Sequence, residues 1–179
     1  MQQFILDAFV TAATEVFETM MGRKVVVGSP YVVTAAICEQ DVNSMVGLSG
    51  GLPGNVIVGV DRKLAIDFTE NVIGHATDTI DEQVIDAVAE IANMIVGAAK
   101  CKLTQYKLSM SLPSVICGRG LTINFPGNVR PVCIPFDLEG AKLSLCVGLY
   151  DESEPSEKCE LPEIAAKPSR GPVLAFDNK

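Results

Sequence analysis

The sequence predicts an α+β fold built from two similar units, each a long helix followed by several strands. Two long segments carry apolar residues at helical spacing, and much of the remaining chain consists of short β-branched runs bounded by Gly or Pro. The two halves also resemble each other in the order of these segments. A chain of 179 residues, 48% of them hydrophobic, is long enough for one well-packed core, so we expect a single domain.

Three helices are predicted from apolar periodicity and from residues that begin or end helices. Residues 3–21 form the first and residues 61–73 a shorter second, for which Asp61 is the expected N-cap. A Gly follows each of these two helices and supplies its end. The third helix, residues 83–100, has an apolar stripe that needs a core, formed by Val84, Val88, Ile91, Ala92, Ile95 and Ala99.

Eight further segments before residue 150 are predicted to be strands because they are short and rich in β-branched or aromatic residues. In the first half they are residues 24–28, 31–38, 44–52 and 54–60. After the third helix they are residues 102–110, 114–124, 129–136 and 142–149.

A Gly-rich segment, SGGLPG at residues 49–54, separates two of these strands. A loop of this composition can hold phosphate, which would suit a small-molecule enzyme. It lacks the Lys followed by Ser or Thr of a P-loop, and no helix follows it directly. We therefore expect a tight hairpin turn, for which glycine is the usual residue.

The first and third predicted helices align without a gap through their first turns. The alignment pairs three positions: Asp7 with Asp86, Thr11 with Glu90, and Thr14 with Asn93. Each helix is then followed by a Pro-containing β-branched segment, GSPYVV or SLPSVI, and by a predicted Pro-Gly-Asn hairpin, LPGNVIV or FPGNVRPV. The chain is therefore predicted to be a pseudo-duplicated unit.

The third helix also carries a polar row on the side opposite its apolar stripe. On a wheel of about 3.6 residues per turn the row occupies an arc of roughly 60°; it consists of Asp86, Glu90, Asn93 and Gly97. The residues expected to flank it are Ala87, Ala89, Met94 and Ala98. Because none has a long charged side chain, another surface can approach the row closely. An E-x-x-N pair by itself is more typical of an ordinary solvent-facing stripe.

The spacing between three residues of this row and a later proline is more informative than the E-x-x-N pair alone. Asp86 is followed after four residues by Glu90, then after three by Asn93, and Pro113 follows some twenty residues later. This pattern resembles the signature of the CheC/CheX/FliY family of chemotaxis phosphatases, and the single-domain CheX type is the most similar. The resemblance covers roughly residues 1–150 and implies two long helices on one face of a largely antiparallel sheet, related by a pseudo-twofold axis.

The family resemblance implies a phosphatase acting on the phospho-aspartate of a CheY-type receiver protein. It implies that Glu90 engages a receiver lysine and that Asn93 directs the attacking water. Magnesium would be bound by the receiver, and no cofactor by this chain. The carboxamide of Asn93 suits the task of directing water. It orients a water molecule as both donor and acceptor without adding negative charge beside a phosphoryl group. We expect Asp86 to support the row and Pro113 to be structural.

Assembly is predicted from the sheet and from the resemblance together. A sheet built from two repeats leaves edge strands whose unpaired backbone groups can bind a second copy. Relatives of the CheX type form dimers by joining sheets, which implies a homodimer here.

Composition limits the partners and the compartment. The net charge of −8 includes no basic stripe for a phosphate backbone, so nucleic acid is not an expected partner. The six cysteines form no C-x-x-C pair and predict no metal site. Most lie among apolar residues, as expected for reduced thiols in a cytoplasmic protein. No apolar run is long enough for a membrane span, and the N-terminal segment lacks the basic region of a signal peptide.

The composition changes at about residue 151. Residues 1–150 are the predicted CheX-like phosphatase domain, and residues 151–179 are expected to form an acidic, mobile tail that is rich in Pro and Glu up to residue 171. Its last segment, PVLAFDNK, regains a strand-like pattern and either pairs with a sheet edge or stays mobile, which is the outcome we expect. The only histidine, His75, lies in a polar connection before the third helix. No nucleophile or carboxylate pattern marks it as a catalytic base.

Three classes of function remain open from the sequence. The first is the phospho-aspartate phosphatase, and the second is a non-catalytic adaptor or flagellar-switch module of the same fold that only binds a response regulator. The third is an unrelated small-molecule enzyme, for which no second catalytic constellation is present. Phosphate release from a phosphorylated receiver, with and without this protein, separates the first two.

Overall fold

The structure is a computed structural model that describes residues 3–150, so the predicted tail at residues 151–179 lies outside the described residues. Its helices are α1 (Gln3–Met21), α2 (Arg62–Phe68) and α3 (Glu82–Lys102). A π-helical turn, Thr69–Ile73, extends α2, and a short 3₁₀ turn, Thr104–Tyr106, follows α3. No helix within residues 3–150 combines the length and apolar character that crossing a membrane requires.

Eight strands form one antiparallel sheet and two form a small separate one. The main sheet contains β1 (Val26–Val27), β2 (Tyr31–Val32), β4 (Val42–Ser49), β5 (Gly54–Val60), β6 (Ser109–Met110), β7 (Ser114–Cys117), β9 (Val132–Leu138) and β10 (Ala141–Leu149). The small sheet pairs β3 (Ala35–Cys38) with β8 (Leu121–Asn124). These elements confirm the predicted α+β class, with the helices packed on an antiparallel sheet.

The order of strands shows the pseudo-twofold relation between the two halves. Along the main sheet, β1 and β2 share one edge, followed by β9, β10, β5 and β4, and then β6 and β7 share the other edge. The axis passes between β5 and β10, and it exchanges β4 with β9 and the two broken edge strands with each other. Each half therefore supplies the edge strand that pairs with the other half.

The two long helices confirm the predicted repeat through their burial. When Asp7 is placed on Asp86, every buried position of α1 except Leu6 falls on a buried position of α3. All six residues of the predicted apolar stripe of α3 are fully buried. Gly22 ends α1 with φ +62, the left-handed conformation that favours glycine after a helix.

Alternating residues of the central strands face two different cores. One face packs on the helices in a large apolar cluster to which all three helices and strands β4, β5, β9 and β10 contribute. The opposite face carries a small cluster beneath β3 and β8, formed by Ala36, Ile57, Cys133 and Cys146. Helices thus cover one face of the sheet, and the small sheet covers part of the other.

The Gly-rich segment is a turn, as predicted. It joins β4 to β5 as an antiparallel hairpin, with Leu48 opposite Gly54. Gly50 has φ +109, and a Cβ atom there would lie 2.6 Å from the carbonyl oxygen of Lys107. Glycine is needed here because the backbone that leaves α3 passes directly against the turn.

Four strand predictions were wrong in extent. Residues 102–110 do not form one strand, because α3 continues to Lys102 and the chain then makes the 3₁₀ turn and a left-handed residue, Lys107, at φ 48. Residues 114–124 form two strands, separated where Gly118 and Gly120 adopt positive φ. Residues 24–28 and 31–38 shrink to the short strands β1, β2 and β3.

The second helix begins as predicted, and its N-cap also ties it to the sheet. One carboxylate oxygen of Asp61 accepts a hydrogen bond from the Leu64 N–H at 2.7 Å, and the other accepts one from the Lys142 N–H at 2.6 Å. The last turn, Thr69–Ile73, is π-helical rather than α-helical, and Gly74 follows it with φ +79. Asp61 thus joins α2 to β10.

We predict that Asp61→Ala lowers the free energy of unfolding by roughly 1–3 kcal/mol, since it removes the cap and leaves the Lys142 N–H without its acceptor. Urea denaturation followed by circular dichroism measures the change. Asp78→Ala is the matched control, because Asp78 is exposed and its side chain bonds to no described residue. Its expected change is below about 0.5 kcal/mol. Equal stability of the two variants would contradict the assigned role of Asp61.

Candidate functional site

The polar row of α3 lies on the surface, as its wheel position predicts. Asp86 and Glu90 are exposed, and Asn93 is half-buried. No described residue forms a hydrogen bond or an ion pair with any of these three side chains. The row is therefore open to another molecule, with one amide and two carboxylates on consecutive turns of one helix.

The side chains that flank the row are short or apolar, as predicted, except that one predicted neighbour is buried. Ala89, Met94 and Ala98 are half-buried, so short or apolar side chains do flank the row. Ala87 is fully buried and does not flank it, because its wheel position lies at the margin of the apolar stripe. Gly97 ends the row, and a Cβ atom there would meet nothing within 4 Å. A flat protein surface can therefore approach this part of α3.

Asp81 fixes the start of the helix that carries the row. Its carboxylate accepts a hydrogen bond from the Val84 N–H at 3.0 Å and lies 2.9 Å from Nε2 of His75. The contact with His75 and then the bond from Val84 lower the pKa of Asp81 to about 2. A lowered pKa means that this stabilisation is fully present above the usual carboxyl pKa and is lost as the pH falls toward 2. His75 thus has a structural contact.

The other end of α3 is tied to α1. Nζ of Lys102 lies 2.9 Å from the carboxylate of Glu15, and the two helices pack against each other along their lengths. The sheet side of α3 packs on β4, β5 and β7. The row is therefore held by contacts at both ends and along one whole face.

Pro113 lies in a bulge of the edge strand beside α3. Strand β4 pairs with β6 up to Met110 opposite Leu48, and with β7 from Ser114 opposite Met45. Three residues on the edge therefore oppose two on β4, which is a β-bulge. Proline suits this position because a bulge leaves an N–H out of the ladder.

The bulge is locked by Ser111 and presents Leu112 to solvent. The Ser111 hydroxyl accepts a hydrogen bond from the Gly47 N–H at 2.9 Å and donates one to the Leu112 carbonyl at 2.8 Å. The Leu112 side chain is 88% exposed. The first half has the same bulge, since three residues ending at Pro30 oppose two on β9. The sequence repeat had indicated the two prolines but not the extra residue.

The first helix carries a matching row with different chemistry. Asp7 and Thr11 are exposed and Thr14 is half-buried, the same pattern as at the aligned positions of α3. The two threonines offer hydroxyl groups where α3 offers a carboxylate and a carboxamide. Only one of the two rows therefore has the predicted functional residues.

A charged cleft of about 550 Å³ lies elsewhere and was not predicted from the sequence. Arg119 donates two hydrogen bonds to the Asp41 carboxylate, at 2.7 and 2.6 Å, and this contact lowers the pKa of Asp41. Arg62 donates to the carbonyl of Asp78. The cleft joins residues that are distant in sequence and form no motif, so no sequence signal could have indicated it. Within residues 3–150, no group of three or more His, Cys, Asp or Glu side chains could hold a metal ion.

Comparison with known proteins places this chain in a family. The model of the family described as chemotaxis phosphatase CheX matches residues 42–137, more than half of the chain, including α3 and Pro113. The chain belongs to the CheX family. A solved chemotaxis protein CheX from Desulfovibrio desulfuricans is 32% identical, with a TM-score of 0.70 over 79% of this chain and 96% of that one.

Two further relatives bear on the activity of CheX proteins. The protein named CheY-P phosphatase CheX, from Thermotoga maritima, is 24% identical over 147 residues, which cover 80% of this chain and 95% of that protein. A solved complex of CheX with CheY, BeF3 and Mg2+ from Borrelia burgdorferi is 23% identical. It shares the fold with a TM-score of 0.66, over 82% of this chain and 98% of that one.

Proposed function

We propose that this chain is a phosphatase that hydrolyses the phospho-aspartate of a CheY-type response regulator. The observation that carries the proposal is the open row on α3, in which Glu90 and Asn93 have no partner among the described residues. Membership of the CheX family and the named activity of the Thermotoga relative support it. The Borrelia complex, in which a CheX protein binds CheY, supports the choice of partner.

Asn93 is the residue proposed to act on the attacking water. An acyl phosphate hydrolyses by in-line attack of water through a loose transition state, so a protein accelerates the reaction chiefly by positioning. The Asn93 amide can accept a hydrogen bond from the water and donate one to it or to a phosphoryl oxygen. Its half-buried position limits the freedom of the side chain, which favours one orientation of the water.

Glu90 is proposed to hold the partner. A carboxylate beside a phosphoryl group is repelled unless a cation lies between them, and a receiver lysine supplies that cation through a charge-assisted hydrogen bond. Asp86 lies one turn earlier and is proposed to support this contact. Magnesium would come with the receiver, and this chain would bind no cofactor. The exposure of both carboxylates agrees with contacts made to another protein.

We place the reaction in the cytoplasm. Five cysteines of the described residues are free thiols, the state that reducing compartments maintain: Cys38, Cys101, Cys117, Cys133 and Cys146. A response regulator of the CheY type would meet the chain there.

A homodimer is the proposed assembly, and the edge formed by β1 and β2 supports it. This edge exposes apolar side chains, Val26, Val27, Tyr31 and Val32, which are 40–66% exposed. An exposed apolar edge strand is a template for pairing with another chain. We propose that a second copy covers it.

Light scattering at micromolar concentration should therefore give about twice the 19.0-kDa mass of the chain. Val32→Lys places a charge on this edge and should shift the protein toward the monomer. Ile73→Lys is the control, since Ile73 is also exposed but lies at the end of the π-helical turn. A wild-type protein that is only monomeric would count against the dimer.

The α1 row should not take part in the reaction. Thr11→Ala combined with Thr14→Ala should retain most of the phosphatase activity, because threonine has neither a carboxylate for a lysine nor a carboxamide for a water. The decay of acyl phosphate on the receiver measures this. A folded double variant that had lost its activity would show that both helices act.

Substitutions in the α3 row should separate the positioning of water from the binding of the receiver. Asn93→Ala should lower the rate of dephosphorylation by on the order of 10²-fold or more, while affinity for a receiver loaded with a phosphate mimic stays nearly unchanged. Glu90→Ala should weaken both rate and affinity. Neither change opens a cavity in the core, so unfolding free energies should stay within about 0.5 kcal/mol of the wild type.

Glu18→Ala is the matched control for Glu90→Ala, since Glu18 is exposed on α1 and should affect neither quantity. Normal turnover by Asn93→Ala would remove the proposed role of the amide. Wild-type protein that binds the receiver without accelerating its decay would instead show a non-catalytic adaptor.

A further inference from the structure

Two cysteines lie directly opposite each other on neighbouring central strands. Cys133 of β9 and Cys146 of β10 are Cα partners in the antiparallel ladder. Both thiols are free and buried, at 7% and 4% exposure. They belong to the small cluster on the face of the sheet opposite the helices. This face is distinct from the α3 row, so the chemistry of the two thiols is separate from the proposed phosphatase activity.

The distance between these two side chains depends on which neighbouring strand the backbone N–H and C=O groups of Cys133 face. The carbonyl of Pro135 accepts a hydrogen bond from the Gly28 N–H, so Pro135 directs its backbone polar group toward β1 and β2. Backbone groups alternate along a strand, so Cys133, two residues earlier, has the same direction and turns away from β10. Cys133 and Cys146 are therefore a non-hydrogen-bonded pair, in which the Cα atoms lie about 4.5 Å apart and the side chains are closest.

This spacing falls inside the range that a disulfide bond accepts. Cα separations of about 4.4–6.8 Å allow bridging without movement of the backbone. Hydrogen-bonded partners in the same ladder lie farther apart, at about 5.5 Å, and their side chains are less close. The register thus places two thiols where one covalent bond can join them.

We propose that Cys133 and Cys146 are a redox modification site, which forms a reversible disulfide when a hydroperoxide such as hydrogen peroxide oxidises the pair. In a reducing compartment such bonds are transient and report on oxidants. The modification joins β9 to β10 across the small cluster and leaves the α3 row untouched.

The two thiols have different parts in the reaction. The neighbouring Cys146 thiol lowers the pKa of Cys133, while the neighbouring Cys133 thiol and then burial raise the pKa of Cys146. Cys133 is also the more exposed of the two thiols. Cys133 is therefore the attacking thiolate and Cys146 the resolving thiol.

The chemistry balances with the peroxide as oxidant. The Cys133 thiolate attacks one peroxide oxygen, the O–O bond breaks, and a sulfenic acid forms as water leaves with the proton of the thiol. Cys146 then attacks the Cys133 sulfur, the S–O bond breaks, and a second water leaves. Two thiols are oxidised to one disulfide, and one peroxide is reduced to two waters.

Other cysteines of the described residues are not placed for this bond. Cys101 and Cys117 are exposed, and neither has a cysteine opposite it in a strand pair. Cys38 is buried on β3, opposite Leu121, and burial raises the pKa of its thiol. Cys38 lies near enough to Cys146 to affect its titration and is the one competitor for the bond among residues 3–150.

The experiment oxidises the full reduced chain with one equivalent of hydrogen peroxide, blocks the remaining thiols, and maps tryptic peptides by mass spectrometry. Cleavage after Lys142 places Cys133 and Cys146 in separate peptides, so their disulfide appears as a linked pair. We expect this linked pair, a loss of two titratable thiols from the six of the chain, and full recovery with dithiothreitol.

Variants assign the roles of the two thiols. Cys146→Ser should abolish the linked pair and accumulate a sulfenic acid on Cys133, trapped by dimedone. Cys133→Ser should abolish the linked pair and trap nothing on Cys146. Cys117→Ser is the matched control and should keep the bond, since Cys117 lies in no cysteine pair.

Three results would overturn the proposal. The first is a wild-type chain in which Cys101 and Cys117 oxidise while the Cys133 and Cys146 peptides stay unlinked. The second is a linked pair that contains Cys38 in place of Cys133. The third is dimedone trapping on Cys146 alone, which would reverse the roles. The wild-type map decides the first two even where a serine variant fails to fold.

Discussion

The pairing of β5 with β10 is the contact on which the rest of the molecule depends. These strands come from different halves of the chain, and their seven-residue ladder from Leu143 opposite Val60 to Leu149 opposite Gly54 joins the halves into one sheet. Each half also supplies the broken edge strand of the other. Neither half can complete its sheet or cover its apolar face alone, so the site helix and its support form together.

This dependence explains how the helix that carries the row, α3, is held in place. The helix packs on β4 and β5, which belong to the first half, and on β7, which belongs to its own. Its N-terminus is capped by Asp81, and its last turn is paired to α1 through Lys102. A residue on the outer face can therefore hold one orientation while a partner approaches. The aligned row on α1 has threonines where α3 has the carboxylate of Glu90 and the carboxamide of Asn93.

The periodicity of the sequence correctly predicted the long helices and their buried faces. Features that depend on contacts between residues far apart in sequence were missed. Both long helices and the buried stripe of α3 follow from apolar spacing, which every turn repeats. The helical wheel also predicted that Glu90 and Asn93 lie on the surface. Its prediction was wrong only for Ala87, which lies at the margin of the apolar stripe. The strand prediction for residues 102–110 was wrong because the turn at Lys107 fits against Gly50, a contact between residues far apart in sequence.

The proline bulges limit how the molecule can add to itself. An uninterrupted edge on each side of a sheet would let copies pair in an endless row, as fibrils do. Here both edges are interrupted by an extra residue next to a proline, at Pro30 and Pro113, so a long, unbroken ladder cannot form along the whole length of either one. The two edges also differ in character, since one presents valines and a tyrosine and the other a serine-locked loop. Unlike edges of this kind favour a closed, self-complementary contact over open polymerisation.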